Sequence, residues 1–167
     1  MRYLIIIVIL FVFGCKNKVE NKQEIDIKET EEIQEVKYVY DTSYILNKEE
    51  QAKLELLLKK ISLEKNIEVV FCSVDNEEKE SIDTVANKYF HSFDLRKNNY
   101  QNRILIIIST ITRDFKISVG DNIDESISKD KLLEIKEGTL GYFKESKFYE
   151  GLNFAYNRLN DELPKML

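Results

Sequence analysis

Ile104-Leu105-Ile106-Ile107-Ile108 limits what this chain can fold into more than any other string beyond residue 20. Five consecutive large aliphatic residues leave no polar face. A strand of this kind must be covered on both sides, so it belongs at the centre of a sheet with helices above and below. Ile67 to Val74 is a second strand with apolar groups on both faces. Between Phe115 and Val119, apolar Phe115, Ile117 and Val119 alternate with Lys116 and Ser118, which predicts a half-exposed strand. A short link, Thr110 to Asp114, joins it to the central strand, so the two should pair antiparallel as a hairpin.

Helices are predicted between and after these strands. Asn47, with Glu50 three residues on, forms a capping-box pattern. Leu54, Leu57, Leu58 and Ile61 then recur at helical spacing from Lys48 to about Lys65. Ser81 can cap a second helix whose apolar face is Ile82, Val85, Ala86, Tyr89 and Phe90. A third helix is expected from Lys129 to Glu137, ending before Gly138. A fourth starts near Phe148 and uses Leu152, Ala155, Tyr156 and Leu159. Tyr38-Val39-Tyr40-Asp41 is a short extended segment. Strand, helix and strand in succession make a parallel crossover, expected to be right-handed. The fold class is therefore α/β: a three-layer α/β/α sandwich on a small mixed sheet, built from a βαβ unit plus an antiparallel hairpin.

The amino-terminal region has a different character. Arg2 precedes an apolar run, Tyr3 to Phe13, and then Gly14-Cys15. A positive start, a short apolar core and a small residue before the cut are the pattern of a signal peptide. A membrane-spanning helix needs about 20 apolar residues, more than this run offers. Val12-Phe13-Gly14-Cys15 resembles the lipobox of bacterial lipoproteins, although Phe13 is bulkier than that motif usually carries. The resemblance implies lipidation of Cys15, cleavage after Gly14 and attachment to a membrane by acyl chains. Three regions follow: a signal peptide over 1–14, a charged tether over 15–35, and a folded domain over 36–167. Residues 16–35 hold seven acids and four lysines, a net charge of −3, with few apolar residues. Such a chain is expected to stay unfolded and to span about 25 Å root-mean-square.

Composition narrows the function classes. The whole chain carries 25 basic and 30 acidic residues, a net charge of −5, and its lysines form no basic stripe, so no nucleic-acid partner is expected. Lipidation of Cys15 would leave Cys72 alone, with no intrachain disulfide. Cys72 lies inside Val69-Val70-Phe71-Cys72 and reads as a buried small hydrophobe. His91, the one histidine, has no catalytic arrangement around it and reads as a surface or capping residue.

Several strings, taken in order, resemble the TPM domain family. They are Val39-Tyr40-Asp41 followed by Ile45-Leu46-Asn47, then Phe93-Asp94-Leu95, then Gln101-Asn102-Arg103-Ile104-Leu105, then Arg113 to Gly120, and Phe148-Tyr149-Glu150-Gly151-Leu152. Members of that family have been described as divalent-cation-dependent acid phosphatases and as assembly or repair factors of membrane complexes. The resemblance implies an acidic site, with Ca2+ or Mg2+ as candidate ions, and a membrane protein complex as candidate partner. The chain departs from the family pattern at Gln101 and Arg103, where Asp and Gly are usual. It departs again at Gly120 to Asp124, which lacks the second glycine.

The candidate metal ligands are Asp41, Gln101, Asp121 and Asp124. The hairpin should bring residues 101–103 and 120–124 to one end of the sheet. Asp41 joins them only if Thr42 to Leu46 returns along the domain. An amide oxygen at 101 is a weaker ligand for a hard cation than a carboxylate. Arg103 is a candidate anion contact or a solvated structural residue. Arg96, Arg103 and Arg113 are the guanidiniums available to phosphate chemistry. No catalytic residue is singled out, and no nucleophile, phosphate loop or cysteine-histidine cluster is evident. Two functions follow: a binding or assembly module at the envelope surface, and a divalent-cation-dependent phosphatase.

Overall fold

Asn47 starts the first helix as its spacing to Glu50 predicts. Its side-chain oxygen accepts from the Glu49 and Glu50 amides at 2.9 and 3.0 Å, and the Glu50 carboxylate accepts from the Asn47 amide at 2.8 Å. Reciprocal capping of this kind stabilises a helix by about 1 kcal/mol. The helix, α1 (Lys48–Lys65), stops at Asn66, whose φ of 56° is the left-handed conformation that asparagine tolerates. The structure, a computed structural model, describes residues 36–76, 79–92 and 100–164.

Around α1 the order is β1 (Val39–Asp41), α1, β2 (Glu68–Val74), α2 (Ile82–Ser92), β3 (Arg103–Ser109), β4 (Asp114–Val119), α3 (Asp121–Asp124), α4 (Lys129–Lys144) and α5 (Phe148–Glu162). The four strands lie in the sheet in chain order. β1 and β2 are parallel, β2 and β3 are parallel, and β3 and β4 are antiparallel. Every residue of β2 and β3 is buried, as their unbroken apolar runs require.

The two faces of the sheet have different covers. Val69, Phe71, Ile104, Ile106 and Ile108 pack with Leu54, Leu58 and Ile61 of α1, Ile135 of α4, and Leu152, Ala155 and Leu159 of α5. Val70, Cys72, Val74, Leu105 and Ile107 pack with Val85, Ala86 and Phe90 of α2. The three-layer α/β/α arrangement is as the sequence predicts. The handedness is not. Both crossovers step the same way along the sheet, yet α1 covers one face and α2 the other. They therefore have opposite hands, and one of the two is left-handed against the general rule.

A second difference lies in α4, which runs through Gly138 to Lys144 instead of ending at Glu137. A Cβ at Gly138 would lie 2.5 Å from Cε1 of Phe154, and one at Gly151 would lie 2.6 Å from Cε1 of Phe143. These glycines let α4 and α5 approach closely, so Gly138 is a packing glycine and not a stop signal. Tyr156 of α5 then ties the hairpin to the sheet, its hydroxyl donating to the Val70 carbonyl at 2.7 Å.

Edge strand β1 is guarded. The Glu55 carboxylate accepts from the Tyr38 and Val39 amides at 2.8 and 2.9 Å. A charged side chain that takes up the donors at a sheet edge hinders pairing with a foreign strand.

Cys72 is 1% exposed, as a buried small hydrophobe should be. Burial, with the nearby Asp41 carboxylate, pushes its thiol up to about 12. Since the thiolate is the reactive form, the Cys72 peptide should resist iodoacetamide at pH 8 in the native protein and react once the protein is unfolded. Peptide mass spectrometry checks this, and native labelling at the rate of a free thiol would contradict the packing.

Candidate functional site

Two ends of the sheet carry the polar residues named above. At the amino end of β3, a 3-10 turn (Tyr100–Asn102) leads into the strand, and β4 leaves beside it through Gly120, whose amide donates to the Arg103 carbonyl at 2.8 Å. The one-turn helix α3 follows. Gln101, Asp121 and Asp124 therefore sit at one end of the sheet and are all exposed, as the hairpin geometry predicts. An amide pair links the two loops: Asn122 Nδ2 donates to Asn102 Oδ1 at 2.8 Å.

Asp41 lies at the other end. It is level with Ser73 on β2, and Ser73 is level with Ile108 on β3. Ile108 is five residues along β3 from Arg103, about 16 Å at roughly 3.3 Å per residue. The four candidate ligands are thus not one cluster, because Thr42 to Leu46 does not return along the domain. Asp41 instead closes the loop into α1. One carboxylate oxygen accepts from the Ile45 amide at 3.1 Å and the Ser73 hydroxyl at 2.5 Å. The other accepts from the Leu46 amide at 2.9 Å and Gln51 Nε2 at 3.0 Å. Four donors occupy the lone pairs a cation would need. Among the described residues no group of three His, Cys, Asp or Glu side chains is placed to hold a metal ion.

Arg103 is neither in a loop nor solvated. It is 2% exposed at the start of β3. Its Nε and Nη2 donate to Glu68 Oε2 at 2.8 and 2.6 Å, Nη1 donates to the Phe90 carbonyl, and the guanidinium stands 5.8 Å from the centre of the Phe90 ring. The anion it meets is a side chain of the same domain: Glu68 is its register partner on β2 and is 1% exposed. Sequence reasoning missed Glu68. The available signal was an acid and a base, each at the first position of a strand and followed by at least four apolar residues.

Arg113 is exposed in the β3–β4 turn, and His91 lies exposed in the last turn of α2. Cys15, Phe93-Asp94-Leu95 and Arg96 lie outside the described residues, as do the signal peptide and the tether.

Comparison with known proteins places this arrangement. The model of the TPM domain matches residues 39–162, most of the chain. The chain belongs to the TPM domain family. Solved structures similar to this TPM domain include the N-terminal domain of the cg2496 protein from Corynebacterium glutamicum. That likeness has a TM-score of 0.62 at 8% identity, covering 84% of this chain and 87% of that one. The BA42 protein from Bizionia argentinensis is similar with a TM-score of 0.59 at 18% identity, covering 72% and 86%. The N-terminal domain of a protein from P. gingivalis gives 0.60 at 16% identity, covering 76% and 82%. At such identities the likeness is one of fold. No curated protein matches the chain significantly. At the entry to β3 the structure puts Gln101 in solvent and Arg103 in the core.

Proposed function

We propose that this TPM domain is a binding or assembly module of the bacterial envelope, attached to a membrane through acyl chains on Cys15. The observation that carries the non-catalytic part is the Asn102–Asn122 contact. Two amides join the loops where an acidic site would use carboxylates and a cation, while Asp41 is saturated by the domain's own donors. The anchor part is supported by Arg2, the apolar run to Phe13 and Gly14-Cys15. Among the described residues no helix is long and apolar enough to cross a membrane. Attachment by two or more acyl chains is stable where one chain is marginal.

A second reading, a divalent-cation-dependent phosphatase, is favoured by one observation. Asp121 and Asp124 are exposed on one helical turn at the same end as Gln101. Carboxylates so placed are suitable first ligands for Ca2+ or Mg2+, although two of them make a weak site.

One preparation separates the readings. The full chain, expressed in a bacterium, should carry acyl chains on Cys15 by mass spectrometry, and Cys15→Ser should remain unprocessed and unlabelled by fatty acid. Calorimetric titration with calcium should give no saturable heat, and a generic phosphomonoester should not turn over. An unlipidated, intact leader would remove the anchor. Calcium binding and turnover that both disappear in Asp124→Ala would replace the assembly reading with the enzymatic one.

A further inference from the structure

A cleft of about 490 Å3 opens at the carboxyl end of β3, between the β3–β4 turn and the α4–α5 hairpin. It is far from Gln101, Asp121 and Asp124, at the other end of the sheet. Its wall is aromatic. Phe115 and Phe143 meet edge-on with centroids 5.1 Å apart, Phe143 and Phe148 lie 5.5 Å apart, and Leu140 completes the apolar surface. The rim is charged. Arg113 and Lys144 both line the cleft, and neither has an ionic partner among the described residues. Asp114 stands on the same rim and leaves it with one net positive charge.

The backbone adds a further observation. Arg113 has φ of 57° and Ser146, also on the cleft, has φ of 58°. Glycine takes this conformation at lower cost than either residue. A long cationic side chain is thus held at the mouth of an aromatic cleft in a backbone position that disfavours it.

We propose that this cleft binds a small monocarboxylate with an apolar body, such as an aryl or alkyl acid. The aromatic wall takes the body, and Arg113 and Lys144 take the carboxylate by charge-assisted hydrogen bonds. Small-molecule sites are commonly about 300–1,000 Å3, and the cleft falls in that range, with an apolar wall on one side and polar residues around it. One net positive charge on the rim balances a monoanion. A phosphate dianion would leave a charge uncompensated beside Asp114. The inference goes beyond the envelope reading and requires neither the anchor nor a cation.

NMR titration of the full chain with 3-phenylpropanoate tests it. Saturable shifts are expected at Ile108, Leu140 and Phe148, and the neutral 3-phenylpropanamide should bind at least about tenfold more weakly. Arg113→Gly relieves the backbone strain, so it should raise the thermal midpoint while weakening binding by about tenfold. Lys144→Gln should weaken binding with the midpoint unchanged. Shifts that do not saturate by about 10 mM would overturn the proposal, since such binding is barely specific. So would equal binding of the acid and the amide, or unchanged binding in both variants. Tighter binding of phenyl phosphate than of the carboxylate would overturn the choice of ligand.

Discussion

Arg103→Met should cost about 3–5 kcal/mol of unfolding free energy, the usual effect of removing one partner of a buried ion pair. The expected loss comes from what remains. Glu68 is 1% exposed, and among the described residues its carboxylate is met by the two guanidinium nitrogens of Arg103 alone. Without them a carboxylate is left in the core, on the α2 side of the sheet. The substitution removes the donation to the Phe90 carbonyl as well, which loosens the end of α2. The double variant Glu68→Leu/Arg103→Met should recover most of the loss, because apolar replacement of a whole buried pair is often neutral or better. Urea denaturation of both variants measures this. A single variant within about 0.5 kcal/mol of the parent, the range of an ordinary surface change, would mean that the pair is solvated.

Asp41→Ala is the second large effect, about 2–4 kcal/mol, since hydrogen bonds to a charged acceptor contribute roughly 1.5–3 kcal/mol each and are not additive. The Ile45 and Leu46 amides, the Ser73 hydroxyl and the Gln51 amide lose their acceptor together. Asp41→Asn keeps one oxygen and should lose about half as much, as a neutral acceptor is weaker. The result bears on function, because the family resemblance makes Asp41 a candidate ligand. A structural carboxylate changes the unfolding midpoint in calcium and in chelator equally. If Asp41→Asn destabilised the protein only when calcium was present, Asp41 would be a ligand after all.

How far the sequence revealed this molecule follows from which interactions are local. The buried strands were legible because five aliphatic residues admit no solvent face. The capping box was legible because Asn47 and Glu50 are three residues apart. The β3–β4 hairpin, and with it the shared end of Gln101, Asp121 and Asp124, followed from a short link. Other features depend on partners distant in the chain. Gly138 reads as a stop until Phe154 is seen against it. Asp41 reads as a free acid until Ser73 is placed beside it, 32 residues on. Arg103 and Glu68 are 35 residues apart and meet only through strand register. Crossover hand has no local signature. The aromatic cleft brings together a turn and a helical hairpin whose side chains are unremarkable separately.

Each strand of this sheet pairs with the one synthesised just before it. A chain emerging amino end first can therefore add strands in turn, without leaving a gap for a later segment to enter. The last helix is different. Tyr156 reaches back 86 residues to Val70, and Lys65 donates to the Leu163 carbonyl across 98. Until α5 arrives, Phe71, Ile104 and Ile106 lack much of their cover. Nascent molecules shortened before Phe148 would thus show a greasy, half-roofed sheet to chaperones and proteases, and the final fifteen-residue helix acts as the latch that ends that exposure.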